Sequence, residues 1–160
     1  MKTACLLLLA AGCLAADSGA GVNWTPPKTW QAQAQRQMRL ATYLVPEGGE
    51  CGVYYFGPGQ GGSVQANLDR WIGQFPQPDG KPKIQNKTVH GLKVTTVDIA
   101  GAYTGMGGPN APAGAPKGGY RLLGAIVETA QGSIFFKFTG PQKTVAANQA
   151  GFDAMIISVQ

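Results

Sequence analysis

Apolar residues recur along the chain with two periods, and the change from one to the other marks the elements. Val64, Leu68, Trp71, Ile72 and Phe75 follow a spacing of three and four residues, which places them on one face of an amphipathic helix. Ser63 stands before them as a natural N-cap, able to accept a hydrogen bond from an unpaired backbone N–H. Pro76 and Pro78 end the helix. Elsewhere the period is two. Met38 to Val45 alternates and carries β-branched and aromatic side chains, which predicts a strand ended by Pro46-Glu47-Gly48-Gly49. Gly52 to Phe56 predicts a second strand, paired with the first as a hairpin. Lys83 to Val89 and Leu92 to Tyr103 predict two more, joined by a tight turn at His90-Gly91. Tyr120 to Thr129 and Ser133 to Thr139 complete the set. In the last of these, Ile134, Phe136 and Phe138 alternate with Phe135 and Lys137, so one face is strongly apolar. Gly140-Pro141 opens a final helix, because proline suits the first helical position. Val145, Phe152, Met155, Ile156 and Val159 mark its buried side.

The segments between are of other kinds. Pro26 and Pro27 make Trp24 to Trp30 an irregular lead-in or a short edge strand. Gln31 to Gln37 is polar, a loop or a helical turn. Neither a strand nor a helix passes through Gly57-Pro58-Gly59-Gln60-Gly61-Gly62-Ser63. Thr104 to Gly119 is too rich in glycine, proline and alanine to pack a core and is longer than most loops. Around Met106 it reads as a flexible spacer or as a docking segment that orders on binding. The order strands, helix, strands, helix, with short turns, predicts an α+β fold. Its antiparallel sheet has about six or seven strands and is flanked by two or more helices.

The start of the chain reads differently. Lys2 is followed by an apolar run from Thr3 to Ala11, the length of a signal h-region and too short to span a bilayer, which takes about 20 residues. Leu9-Ala10-Ala11-Gly12-Cys13 then resembles a bacterial lipobox, in which the cysteine is lipidated and becomes the new N-terminus. This predicts a signal peptide over residues 1–12, a lipidated Cys13 with a short tether over residues 13–23, and one domain over residues 24–160. Several acyl chains would hold such a protein firmly, since each buried CH₂ contributes about 0.8 kcal/mol. Ordinary cleavage after Ala15 or Ala16, giving a soluble secreted protein, is the alternative.

Composition narrows the picture. The 160 residues are 44 % hydrophobic and only 13 % charged, which leaves no acidic or basic disordered tail. The net charge of +5 is scattered rather than gathered into a stripe with interleaved aromatics, so nucleic acid is not an expected partner. Most of these charges read as solvated surface, with a mild attraction to anionic lipid headgroups as the fit to an anchored protein. Of the three cysteines, Cys5 leaves with the signal and Cys13 carries lipid. Cys51 then has no partner within the mature chain and reads as a small buried hydrophobe, with a reactive thiol or an intermolecular disulfide as the alternative.

Four blocks carry a family resemblance: Met38-Arg39-Leu40-Ala41, Tyr55 to Ser63, Asn67 to Phe75, and Phe136-Lys137-Phe138-Thr139-Gly140-Pro141. They resemble a family of bacterial exported proteins and lipoproteins whose fold is similar to Mog1 and PsbP. The resemblance spans Trp24 to Val159. It implies an antiparallel sheet flanked by helices and an interaction or assembly module, and it brings no catalytic residues with it.

The residues themselves point the same way. The Gly57 to Ser63 loop precedes a helix, so its N–H groups are placed to meet an anion. It lacks the lysine of a P-loop, however, and the spacing of a dinucleotide fingerprint. His90 is the single histidine and falls in a turn, which leaves a Ser-His-Asp or Cys-His site without a base. One histidine and one core cysteine do not supply a zinc set, no calcium loop occurs, and Asp69, Asp98, Glu128 and Asp153 are dispersed. Trp71 reads as core. Arg70 reads as a surface ion-pair partner or as a polar contact beside the glycine loop. The expectation is therefore a cell-envelope lipoprotein with no cofactor, metal or catalytic residue. It would act as a binding or assembly module toward an envelope protein. Gly59, Gln60, Gly61, Gly62, Ser63 and Arg70 form its candidate surface. A small exported ligand-binding protein or hydrolase, with a pocket between sheet and helix, is the alternative.

Overall fold

The computed structural model describes residues 16–105 and 114–160. Its elements in chain order are β1 (Asp17–Gly19), β2 (Val22–Trp24), β3 (Gln31–Ala32), β4 (Arg39–Val45), β5 (Gly49–Tyr55), α1 (Val64–Ile72), β6 (Gln77–Pro78), β7 (Lys83–Val89), β8 (Leu92–Tyr103), β9 (Lys117–Thr129), β10 (Gly132–Pro141) and α2 (Gln142–Ile157). The strands from β3 onward form one antiparallel sheet in the order β3-β4-β5-β10-β9-β8-β6, with β7 also paired to β8. β1 and β2 form a separate hairpin.

The α+β expectation holds, and most element positions with it. Ser63 caps α1 through its side chain, which accepts from Ala66 N–H at 3.1 Å. His90 and Gly91 form the turn between β7 and β8, both with positive φ (46° and 83°). That pair of conformations matches the right-handed twist of the strands they join.

Both faces of the sheet are covered. On one, α2 brings Val145, Phe152, Met155 and Ile156 onto Val53, Leu123, Ala125, Ile134, Phe136 and Phe138. On the other, Leu68 and Trp71 of α1, with Phe75, pack on Val97, Leu122, Ile126 and Phe135. Strands buried on both sides read as nearly continuous apolar runs rather than as clean alternation. β10 is such a strand: Ile134, Phe136 and Phe138 face α2, while Phe135 faces α1.

Several boundaries differ from expectation. Asp17 to Val22, read as tether, is folded: β1 and β2 form a hairpin in which Val22 and Trp24 are buried. Trp24 Nε1 donates to the Tyr43 hydroxyl at 2.9 Å, and that hydroxyl donates to the Asp17 carboxylate. Alternation of Val22 and Trp24 about exposed Asn23 fastens the segment to the core, and the folded domain begins before Trp24. α1 stops at Gly73, ahead of the prolines, with the Gly73 N–H bonded to Asp69 O at 2.8 Å. β9 starts at Lys117 and β10 runs to Pro141, which caps α2 from outside while still paired with Tyr120. The signal segment, Cys13 and the loop at Met106 lie outside the described residues.

Candidate functional site

The glycine loop and the α1 face make one unit. Gly61 and Gly62 take φ of 90° and 81°. A Cβ on Gly61 would stand 2.8 Å from Phe56 and 3.0 Å from Phe135, so only glycine lets the chain pass this close to the sheet. Asn67, buried on α1, then ties the loop down. Its Nδ2 donates to Gly61 O at 2.8 Å and to Ser63 O at 2.9 Å. Its Oδ1 accepts from Arg70 Nη2. The predicted residues Gly61, Gly62, Ser63 and Arg70 are thus joined through Asn67, whereas Gly59 and Gln60 form the exposed tip. Arg70 has no ion-pair partner among the described residues.

Beside this unit the structure places residues that the sequence reading missed. Lys137 lies on the α1 side of β10, opposite Gly52 of β5 and Gly124 of β9. Trp71 folds over Gly124 and Tyr54 over Gly52, so Lys137 sits between glycine-floored aromatic walls. Only 7 % of it is exposed. Its ammonium donates to Gln74 Oε1 at 2.7 Å and to the Tyr103 hydroxyl at 3.3 Å, and it lies 5.6 Å from the Tyr103 ring centroid. Burial, with the positive charges of Arg39 and Arg70, lowers the Lys137 pKa to about 8, and Glu50 opposes this. The sequence signal was a lysine inside Phe135-Phe136-Lys137-Phe138. Alternation sets it apart from the Ile134, Phe136 and Phe138 face, and the α1 layer covers the side it occupies.

Toward the sheet edge, Arg39 donates to Glu50 Oε1 at 2.7 Å and stacks 4.9 Å from the Tyr54 ring centroid. Arg36 shares the same carboxylate at 3.7 Å. Tyr54 and Phe56 stack with centroids 6.4 Å apart. The result is an aromatic and basic ledge running from Arg39 to Arg70. A cavity of about 30 Å³ opens into it, lined by Tyr54, Phe56, Asn67, Arg70, Trp71 and Lys137 among others.

A second hollow lies on the other side of the sheet, between β7, β8, β9 and α2. It measures about 490 Å³ and adjoins another of about 350 Å³. Arg121 crosses its floor, gripping both oxygens of Asp98 at 2.8 Å and Gln149 Oε1 at 2.9 Å. Lys83, Lys87 and Asp153 rim it, and neither part is lined by serine, cysteine or histidine. His90 is exposed at its turn, with Nδ1 2.9 Å from Val159 O. Cys51 is free and fully buried, and burial pushes its thiol pKa up. His90 and Cys51 therefore do not meet. Among the described residues no group of three or more potential metal ligands occurs, and no helix is long and apolar enough to cross a membrane.

With sheet order and both helix faces defined, the chain compares with solved structures. It is similar to the solution structure of cyanobacterial PsbP (CyanoP) from Synechocystis sp. PCC 6803, with a TM-score of 0.56 over 99 % of this chain and 97 % of that one. The chain has a PsbP-like fold. At 11 % identity the likeness carries the PsbP-like fold and no residue role. No family model matches the sequence, and no curated protein matches it either.

Proposed function

We propose that the chain is a lipid-anchored cell-envelope protein that acts as a non-catalytic binding or assembly module, and that the α1 side of its sheet is the working surface. One observation carries this reading. Asn67 fixes both the glycine loop and Arg70 beside the Tyr54–Phe56 stack. Aromatic and arginine side chains, held in place before the partner arrives, are the residues that carry most binding energy at protein interfaces. The PsbP-like fold fits a module of this kind. Export and anchoring rest on the Lys2 to Cys13 segment.

The test is capture of the tagged chain from membranes of its own host. An envelope protein should be recovered with the wild type and lost with Arg70→Glu, while Lys83→Glu on the opposite side keeps it. Failure to recover any partner reproducibly would count against the module. Cys13→Ser should release the protein from the membrane fraction. Sedimentation of that variant with membranes, together with no uptake of labelled fatty acid by the wild type, would remove the anchor.

The hollow beneath α2 supports a second reading, a small exported ligand-binding protein. Its volume of about 490 Å³ lies within the ligand-site range of roughly 300–1,000 Å³. Charge on its walls is mixed, and Asp98 is already satisfied by Arg121. A hydrolytic version lacks a nucleophile–base pair there.

A further inference from the structure

The cavity beside Lys137 has a size and a charge that say what enters it. About 30 Å³ is room for about one water-sized group. That is enough for one oxygen of an anion, such as the tip of an acidic side chain delivered from outside. Two walls are cationic: Lys137 and Arg70 both line it. Neither has an ion-pair partner among the described residues, because the pairs there are Arg36–Glu50, Arg39–Glu50 and Arg121–Asp98. Glu50, which opposes the field of these cations, is already shared by two arginines.

The donor count agrees. An ammonium has three donors, and Lys137 spends two, on Gln74 and Tyr103. Gln74 is itself 95 % buried (5 % exposed), and its Nε2 is a buried polar atom without a partner. Its amide cannot be turned round, since that would aim the NH₂ group at the ammonium. The core under α1 thus holds donor capacity in excess of acceptors, in a place where unmade hydrogen bonds are expensive. Of these groups Lys137 lines the cavity, so an acceptor placed there, and preferably an anion, meets both its charge and its remaining donor. Around the opening stand Tyr54, Phe56 and Arg70, the kind of rim that excludes water from a central polar contact.

We propose that the notch between Tyr54, Trp71 and Lys137 is the receptor for an aspartate or glutamate side chain of the partner protein, held by Lys137 and Arg70. The inference rests on the module reading above and names the chemistry of the partner. It places the acid at the centre of the interface and the Tyr54–Phe56 ledge beside it.

The experiment titrates the full chain in detergent with a blocked oligoglutamate peptide. Blocked oligoglutamine and inorganic phosphate serve as the comparisons. Binding is followed through the Trp71 indole and the Gly52 and Gly124 amides by NMR. The glutamate peptide should shift these signals and the glutamine peptide should not. Lys137→Met and Arg70→Glu should each weaken binding by about tenfold or more, which is about 1.4 kcal/mol, and Lys83→Glu should leave it unchanged. Arg70 is exposed, so Arg70→Glu keeps the test open if Lys137→Met does not fold. Loss with Lys83→Glu but not with Arg70→Glu would overturn the site, and phosphate that displaces the peptide at equal concentration would overturn the assignment to a partner's side chain. If the peptide fails to bind while Arg70→Glu still loses the membrane partner, the carboxylate receptor is wrong and the module stands. If the peptide binds as described but no partner is captured, the receptor stands without the module.

Discussion

The indole of Trp71 packs directly over Gly124. A Cβ at that glycine would stand 2.7 Å from Cε3 of the indole and 2.9 Å from Val97 Cγ1. Gly124→Ala should therefore lift Trp71 off the sheet and loosen α1 as a whole. Overpacking of this kind typically costs about 1–3 kcal/mol. The measurement is a urea midpoint followed by tryptophan fluorescence. A midpoint equal to that of the wild type would mean that the ring accommodates the methyl, and that the glycine is not what seats the helix.

Lys137→Met should be more stable than the wild type at pH 7, by about 1–2 kcal/mol, because a buried charge is replaced by a chain of similar shape. The lost bond to Gln74 Oε1 offsets part of the gain. The sign with pH follows from the direction of the shift. The folded pKa, about 8, is below the unfolded one, so the unfolded chain holds the extra proton between them. Wild-type stability therefore recovers as pH rises above about 8, and the advantage of the variant shrinks over that interval. The groups that set this field are Arg39 and Arg70, which lower the pKa, and Glu50, which raises it. A stability difference that stays constant from pH 7 to 10 would show that Lys137 is not titrating there.

Removing the amide of Asn67 should release the glycine loop without unfolding the domain. Asn67→Ala loses the bonds to Gly61 O and Ser63 O, each contributing about 1 kcal/mol. Amide exchange of Gly61, Gly62 and Ser63 should speed up by about tenfold while β9 and β10 keep their protection. Asn67→Asp keeps an acceptor for Arg70 but no donors, and it should loosen the loop in the same way. Unchanged exchange in both variants would separate the loop from the helix.

Cys51 should be inert in the folded state. In a chain carrying Cys5→Ser and Cys13→Ser, a thiol reagent should label it no faster than the domain opens, because the side chain is fully buried and the burial pushes its pKa up. Labelling rate against denaturant checks this. Fast labelling in buffer would restore the reactive-thiol reading.

Much of this architecture was legible where one residue decides one local question. Ser63 ahead of the Val64, Leu68 and Trp71 stripe placed α1, and His90-Gly91 placed a hairpin, because caps and tight turns are set by near neighbours in the chain. Lys137 was not legible as a site residue. Its position in the alternation was read correctly, but whether that face meets water depends on α1, which folds over it from more than sixty residues away. Gln74 and Asn67 were missed for the same reason: each is polar by type and buried only by tertiary packing. The β1–β2 hairpin was hidden by its shortness, three residues to a strand, where a single Val-Asn-Trp alternation is all the signal there is.

Asn23 and Gln160 exchange backbone hydrogen bonds, N–H to O at 2.8 Å one way and 3.1 Å the other. The strand that enters the domain and the segment that leaves it are therefore neighbours, on the α2 side of the sheet. The α1 face looks the opposite way. The N-terminal hairpin thus lies behind the Arg39-to-Arg70 ledge. A C-terminal fusion would emerge behind that ledge rather than in front of it, so a tag or reporter placed there leaves the approach to Tyr54 and Phe56 open.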